Sequence, residues 1–168
     1  KELGFYQDEG LNIEIIAMPG GLATQALVAG DLHFSTSSGS SLNASLRGIK
    51  LKVVYVNLDR PLYRLWSWRD EIRKVTDLRG RAIGVASRGD TMEGAANLLL
   101  RKYGMDPMRD VVWVALGTAG RLTSLISRTV DSAVLGFADS HLLQTRGYSV
   151  HEVANIGKEI KMLYTGLA

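Results

Sequence analysis

Cysteine is absent from the 168 residues, which excludes thiol catalysis, disulfides and thiolate metal sites while leaving oxidising and reducing compartments both open. No apolar run approaches the roughly 18 residues that a spanning helix requires. The chain opens on Lys1-Glu2-Leu3-Gly4 and not on a basic start followed by an apolar core, so no secretory leader is expected in it. Charge of either sign is not in excess: 20 basic and 17 acidic residues leave +3, with no block of like charge, which makes no case for nucleic acid. Enzyme motifs are missing too, among them the P-loop, G-x-G-x-x-G, the G-x-S-x-G elbow and H-E-x-x-H. His33, His141 and His151 are far apart and lack metal-ligand spacing, so neither metal nor cofactor is expected. Asp8 and Glu9, the nearest pair of carboxylates, sit on a turn beside Gly10 and read as solvated surface.

What is present is ordinary globular material, 46% hydrophobic and 22% charged, enough for one domain or two small lobes. Its organising stretch runs from Ala82 to Tyr103. An apolar strand with Ala82, Ile83 and Val85 enters the loop Ser87-Arg88-Gly89-Asp90-Thr91, and a helix follows. Asp90 and Thr91 are good N-caps, Glu93 complements the positive helix end, and Gly104 stops the helix. Such a loop leaves the free N–H groups of the helix pointing outward, a seat for an anion.

The rest alternates in the same rhythm. Residues 1–4 read as the last turn of a helix. Strands are expected at Leu11–Ile16, Leu32–Ser35, Leu51–Val56, Leu62–Trp68, Val111–Ala115, Ser132–Leu135 and Tyr148–Val153, with Leu51–Val56 apolar enough to be central in a sheet. Helices are expected at Leu22–Ala29, Leu42–Arg47, Arg121–Ser127 and Ser140–Thr145, with one helical turn at Val75–Leu78. Alternating βα units mean an α/β fold with largely parallel sheets. A weak repeat, Leu27–Leu32 against Leu125–Val130, is consistent with two similar halves. Arg60, Arg64, Arg69 and Arg73 interleave with Tyr63, Trp66 and Trp68, read as a strand whose outer face carries long amphipathic side chains.

The small polar loop between strand end and helix start recurs at Gly20-Gly21, Ser37–Ser40, Ser87–Thr91, Gly117-Thr118 and Gly136–Asp139. In open α/β sheets ligands settle outside the carboxyl ends of the strands, so these loops converge on one crevice. A hydrogen bond to a charged group contributes about 1.5 to 3 kcal/mol, so three or four would suffice for micromolar binding, about 8 kcal/mol, after ordering costs. No nucleophile or base is placed beside them, and the crevice reads as a binding site, not a reaction centre.

The order of these pieces resembles a known family. Gly4–Leu11, then Ala26–Asp31, the Ser-rich loop, Val75–Val85 and Val130–Val134 are similar to the periplasmic substrate-binding proteins of ABC importers for nitrate, taurine, aliphatic sulfonates and related solutes. The resemblance implies an α/β, two-lobed, type 2 periplasmic-binding-protein-like fold, here incomplete at both ends: residues 1–71 part of lobe 1, 72–157 lobe 2, 158–168 the start of the return crossover. It implies a monomeric, non-enzymatic protein, periplasmic or tethered outside the cytoplasmic membrane, that closes on a small-molecule ligand and presents it to an ABC permease. The matching loops place Ser37, Ser38, Gly39 and Ser40 on one side of the ligand and Gly89, Asp90, Thr91 and Met92 on the other, with Gly117, Thr118 and Phe137 added. Asp90 would repel a sulfonate or nitrate unless it caps the helix, so a neutral or cationic heterocycle such as a pyrimidine precursor is an alternative ligand. Alternative functions are the effector domain of a LysR-type transcription regulator, which shares the architecture, and a pyrimidine-precursor enzyme, whose cysteine-rich motif this chain cannot supply.

Overall fold

The computed structural model describes residues 3–18 and 20–168. The first two residues of the helical turn read at 1–4, and Pro19 of the break before Gly20, lie outside them. Helices α1 (Phe5–Asp8), α2 (Gly20–Ala29) and α3 (Ser38–Leu46) precede strands β1 (Tyr55–Leu58) and β2 (Arg64–Ser67). A 3₁₀ turn at Val75–Leu78 leads to β3 (Ala82–Val85), α4 (Thr91–Lys102), β4 (Val112–Ala115), α5 (Gly117–Ile126), β5 (Ser132–Leu135) and α6 (Phe137–Arg146). Then come β6 (His151–Asn155), α7 (Ile156–Glu159) and β7 (Thr165–Leu167).

Five strands form one sheet in the order β4-β3-β5-β2-β6. β3 pairs parallel with β4 and β5, whereas β2 is antiparallel to both β5 and β6. Four strands therefore run one way and β2 the other. The parallel set follows from helical crossovers, since α4, α5 and α6 each carry the chain back to start the next strand in the same direction. β2 has no such helix before it. It also enters this sheet as an interior strand, although the sequence reading groups it with residues 1–71.

Alternation along β2 and β5 builds two cores, one on each face of the sheet. Leu65 and Val134 face α4 and the 3₁₀ turn, where Leu78, Ile83, Leu99 and Ile156 are sealed. Trp66, Ala133 and Leu135 face the other way, onto Leu125 of α5 and Leu143 of α6. Trp66 is only 4% exposed and donates its indole N–H to Ser140 Oγ at 3.0 Å. The arginines of this stretch stay outside, as expected, but Tyr63 and Trp66 go inward.

Residues 3–62 are built differently. β1 pairs with β7 alone among the described residues, and all four of its residues are exposed. The expectation of a central strand there is overturned, because centrality needs a neighbour on both edges. Leu11–Ile16 and Leu32–Ser35 form no ladder; Ser35 instead exchanges backbone hydrogen bonds with Ala168 at 2.8 and 2.9 Å. Of the weak repeat, the second copy joins α5 to β5, whereas the first leads from α2 into a segment that is not a strand. Phe5, Leu11, Ile15, Val28, Phe34 and Tyr55 are all at least half exposed, and both core clusters begin at Tyr63 or later.

Candidate functional site

The helix starts α2, α3, α4 and α5 meet around a cleft of about 580 Å³, and Tyr63 and Tyr164 complete its wall. The α4 end is built from its own capping chemistry. Asp90 is the N-cap: Oδ1 accepts the Glu93 N–H at 2.8 Å and Oδ2 accepts the Ser87 N–H at 2.9 Å. Glu93, buried, accepts the Gly89 N–H at 2.6 Å and pairs with Arg88, Nη2 to Oε1, at 3.1 Å. Gly89 makes this turn with φ of +78°, a conformation in which a Cβ would be strained. Both carboxylates are thus engaged by backbone donors and Arg88. The Thr91 and Met92 N–H groups, first in the helix, have no intrahelical acceptor.

α3 reaches the cleft from the opposite side. It starts at Ser38, inside the stretch read as a loop, because Ser37 is the N-cap. No side chain caps it, so the first-turn N–H groups of Gly39 and Ser40 are also left without intrahelical partners. Ser37, Gly39 and Ser40 line the cleft, whereas Ser38 is fully buried with its hydroxyl unpartnered. Gly89, Asp90, Thr91 and Met92 line it from α4, and Thr118 from α5.

Two expected residues fall elsewhere. Gly117 begins α5 and donates its N–H to Ala86 O at 3.0 Å, and it is not among the cleft-lining residues. Phe137 is 65% exposed and stacks on His141, with ring centroids 6.3 Å apart. The loops read at Gly117-Thr118 and Gly136–Asp139 are in fact largely the opening turns of α5 and α6, since glycine or a small residue at the strand end lets the helix begin at once.

The residue that the sequence reading missed is Arg121. It lines the cleft, yet is only 4% exposed. Nη1 donates to Val134 O at 3.2 Å and lies against Met92 Sδ; Nη2 donates to Thr118 O at 3.3 Å. Among the described residues its one carboxylate partner, Asp139, stands 3.6 Å away and is itself a third exposed, and Nε has no acceptor. A buried guanidinium so weakly compensated is costly unless an anion completes its shell. The available signal was Arg121 lying one turn before Leu125, on the apolar stripe of the helix.

Tyr63 and Tyr164 meet edge to face, with centroids 5.1 Å apart and planes at 83°. Burial, reinforced by Tyr164, raises the Tyr63 hydroxyl pKa well above the usual tyrosine value, so it stays a neutral O–H. The cleft therefore combines a buried cation, a hydroxyl held protonated, serine and threonine hydroxyls and unpaired backbone N–H groups. That set favours an anion. None of the three histidines lines it.

A family model described as NMT1/THI5 like matches residues 1–165, and the chain belongs to that family. No curated protein sequence matches it. Among solved structures it is similar to the periplasmic aliphatic sulphonate binding protein SsuA from Escherichia coli, with a TM-score of 0.79 and 18% identity over 99% of this chain and 54% of that one. The alkanesulfonate-binding protein SsuA from Xanthomonas axonopodis pv. citri, bound to MOPS, matches with a TM-score of 0.78 and 20% identity over 99% and 58%. A Bordetella bronchiseptica RB50 protein matches with a TM-score of 0.75 and 26% identity over 98% and 56%. The fold is thus that of the two-lobed periplasmic binding proteins, and the chain spans about half the length of these matched chains.

Proposed function

We propose that this chain carries the ligand cleft of an ABC importer's solute-binding component, an extracytoplasmic protein that captures a small organic anion between two lobes for a membrane permease. The observation that carries the reading is Arg121, buried in the cleft wall with its Nε lacking an acceptor. Family membership and the shared fold support it. Asp90 does not oppose it, because both its oxygens are taken by backbone N–H groups; the anion is therefore preferred to a cationic heterocycle. In this reading lobe 1 takes the residues before Arg64, lobe 2 runs from β2 to Gly157, and residues 158–168 begin the return crossover. The role is binding without turnover, since the lining residues pair no nucleophile with a base.

A thermal-shift screen with alkanesulfonates, nitrate, aromatic acids and thiamine precursors tests it. A ligand at 100 times its dissociation constant adds about 2.7 kcal/mol to stability. An alkanesulfonate or other organic anion should stabilise the chain, and Arg121→Met should abolish that gain while Thr91→Ala weakens it. No response to any anion, or responses that persist in both variants, would remove the proposal.

A further inference from the structure

Beside the cleft lies a side compartment of about 340 Å³, bounded also by Leu46, Gly94 and Asn97, and the two adjoining spaces share Asn43, Arg47, Gly89 and Asp90 in their walls. We infer that this compartment receives the far end of an elongated ligand, and that the solute is a dianion with an anionic group at each end. The inference rests on the reading of the main cleft as an anion site.

Arg47 carries the argument. It is the C-cap residue of α3, a place that suits a cation by the helix dipole, and its side chain joins no ion pair or hydrogen bond among the described residues. Its donors are free to meet an acceptor. Asp90, the carboxylate in the same wall, is held by the Ser87 and Glu93 N–H groups. Among the described residues Asn97 makes no side-chain hydrogen bond, and its Oδ1 is buried without a donor. Its N–H₂, which is not sealed, is therefore the side of the carboxamide left to donate to an anion. Gly94 leaves the helix backbone bare at this point: a Cβ built there meets no atom within 4 Å.

Two arginines, the buried Arg121 in the main chamber and the exposed, unpaired Arg47 in the shared wall, thus flank one composite hollow made of the two adjoining spaces. Its size suits an organic solute with several carbons better than a lone oxyanion. A monoanion would engage Arg121 and leave Arg47 to water.

The test is calorimetric titration of the 168-residue chain with butanesulfonate and butanedisulfonate, and with shorter and longer homologues of each. The disulfonate of best length should bind at least about tenfold tighter than its monosulfonate. Arg47→Gln should erase that preference. Gly94→Leu, whose Cβ meets no atom within 4 Å and which improves helix propensity, should erase it too while leaving the monosulfonate within about twofold. Monosulfonate binding that depends on Arg121 but gains nothing from a second sulfonate overturns this inference and spares the cleft reading. A disulfonate preference that survives both variants also overturns it, as does failure of every sulfonate to bind, the cleft reading being judged by the wider anion screen.

Discussion

Gly39 in the first turn of α3 and Thr91 in the first turn of α4 approach so closely that a Cβ on Gly39 would stand 3.2 Å from Thr91 Oγ1 and 3.3 Å from its methyl carbon. Two helix starts from distant parts of the chain therefore touch at the cleft. The contact brings the first-turn N–H groups of both to the same cleft, and on the proposed reading they act together on one solute, since one helix dipole contributes only about 0.3 to 1 kcal/mol.

Gly39→Ala is expected to push Thr91 away from this contact. The gain of alanine over glycine in a helix interior, about 0.5 to 1 kcal/mol, applies only in part in this first turn and is set against the displacement of Thr91, so the melting temperature should change little. Anion affinity should fall about tenfold. Calorimetry beside thermal melts separates the two, and a parallel loss of both would show that the contact serves folding instead of binding.

Replacing Asp90 tests the cap. Asp90→Ala removes acceptors from both Ser87 and Glu93 and should cost about 0.5 to 2 kcal/mol in denaturant unfolding. Asp90→Asn keeps one carbonyl acceptor and should recover much of that. Because the carboxylate sits in the cleft wall, the Asn variant should also bind anions at least as well as the parent chain.

Arg128 takes a left-handed conformation, φ +62°, where α5 ends. There its N–H reaches Leu125 O at 3.2 Å and the Thr129 N–H reaches Ser124 O at 2.9 Å, a helix stop that glycine usually occupies. Its guanidinium lies 5.0 Å from the Trp68 ring, which also carries Arg69 at 4.4 Å. The cation–π contact, about 0.5 to 1 kcal/mol at an exposed site, offsets a left-handed penalty of about 1 to 2. Arg128→Gly should therefore be neutral or mildly stabilising, whereas Arg128→Ala keeps the strain and loses the contact. Unfolding midpoints in guanidinium chloride would rank the three.

Tyr63 sets a pH dependence. Its folded-state pKa is raised above the ordinary tyrosine value, chiefly by burial. A raised folded pKa means that stability is intact below the unfolded value and declines as pH climbs beyond about 10. Tyr63→Phe should flatten the alkaline side of a melting-temperature profile relative to the parent chain. An identical alkaline decline in the variant would assign the loss to other groups.

Local signals carried much of the second half of the chain. The cap at Asp90, the stop at Gly104 and the apolar strands at 82–85 and 132–135 each depend on residues within a few positions of one another, and each appears as read. The helix starts at Ser38, Gly117 and Phe137 were read late, because glycine and serine suit a loop and a first turn alike and only the packed backbone chooses between them.

Pairing and burial were beyond reach for a different reason. Whether Leu11–Ile16 or Leu51–Val56 becomes a ladder depends on a neighbouring strand, which no local pattern supplies. Arg121 became a cleft residue through Val134, Thr118 and Asp139, three partners brought to it by the sheet and two helices. Short-range chemistry in the sequence laid down the capped turns and their exposed N–H groups; the tertiary fold alone turned them toward a common gap and buried a cation beside it, since charge compensation is a property of neighbours in space.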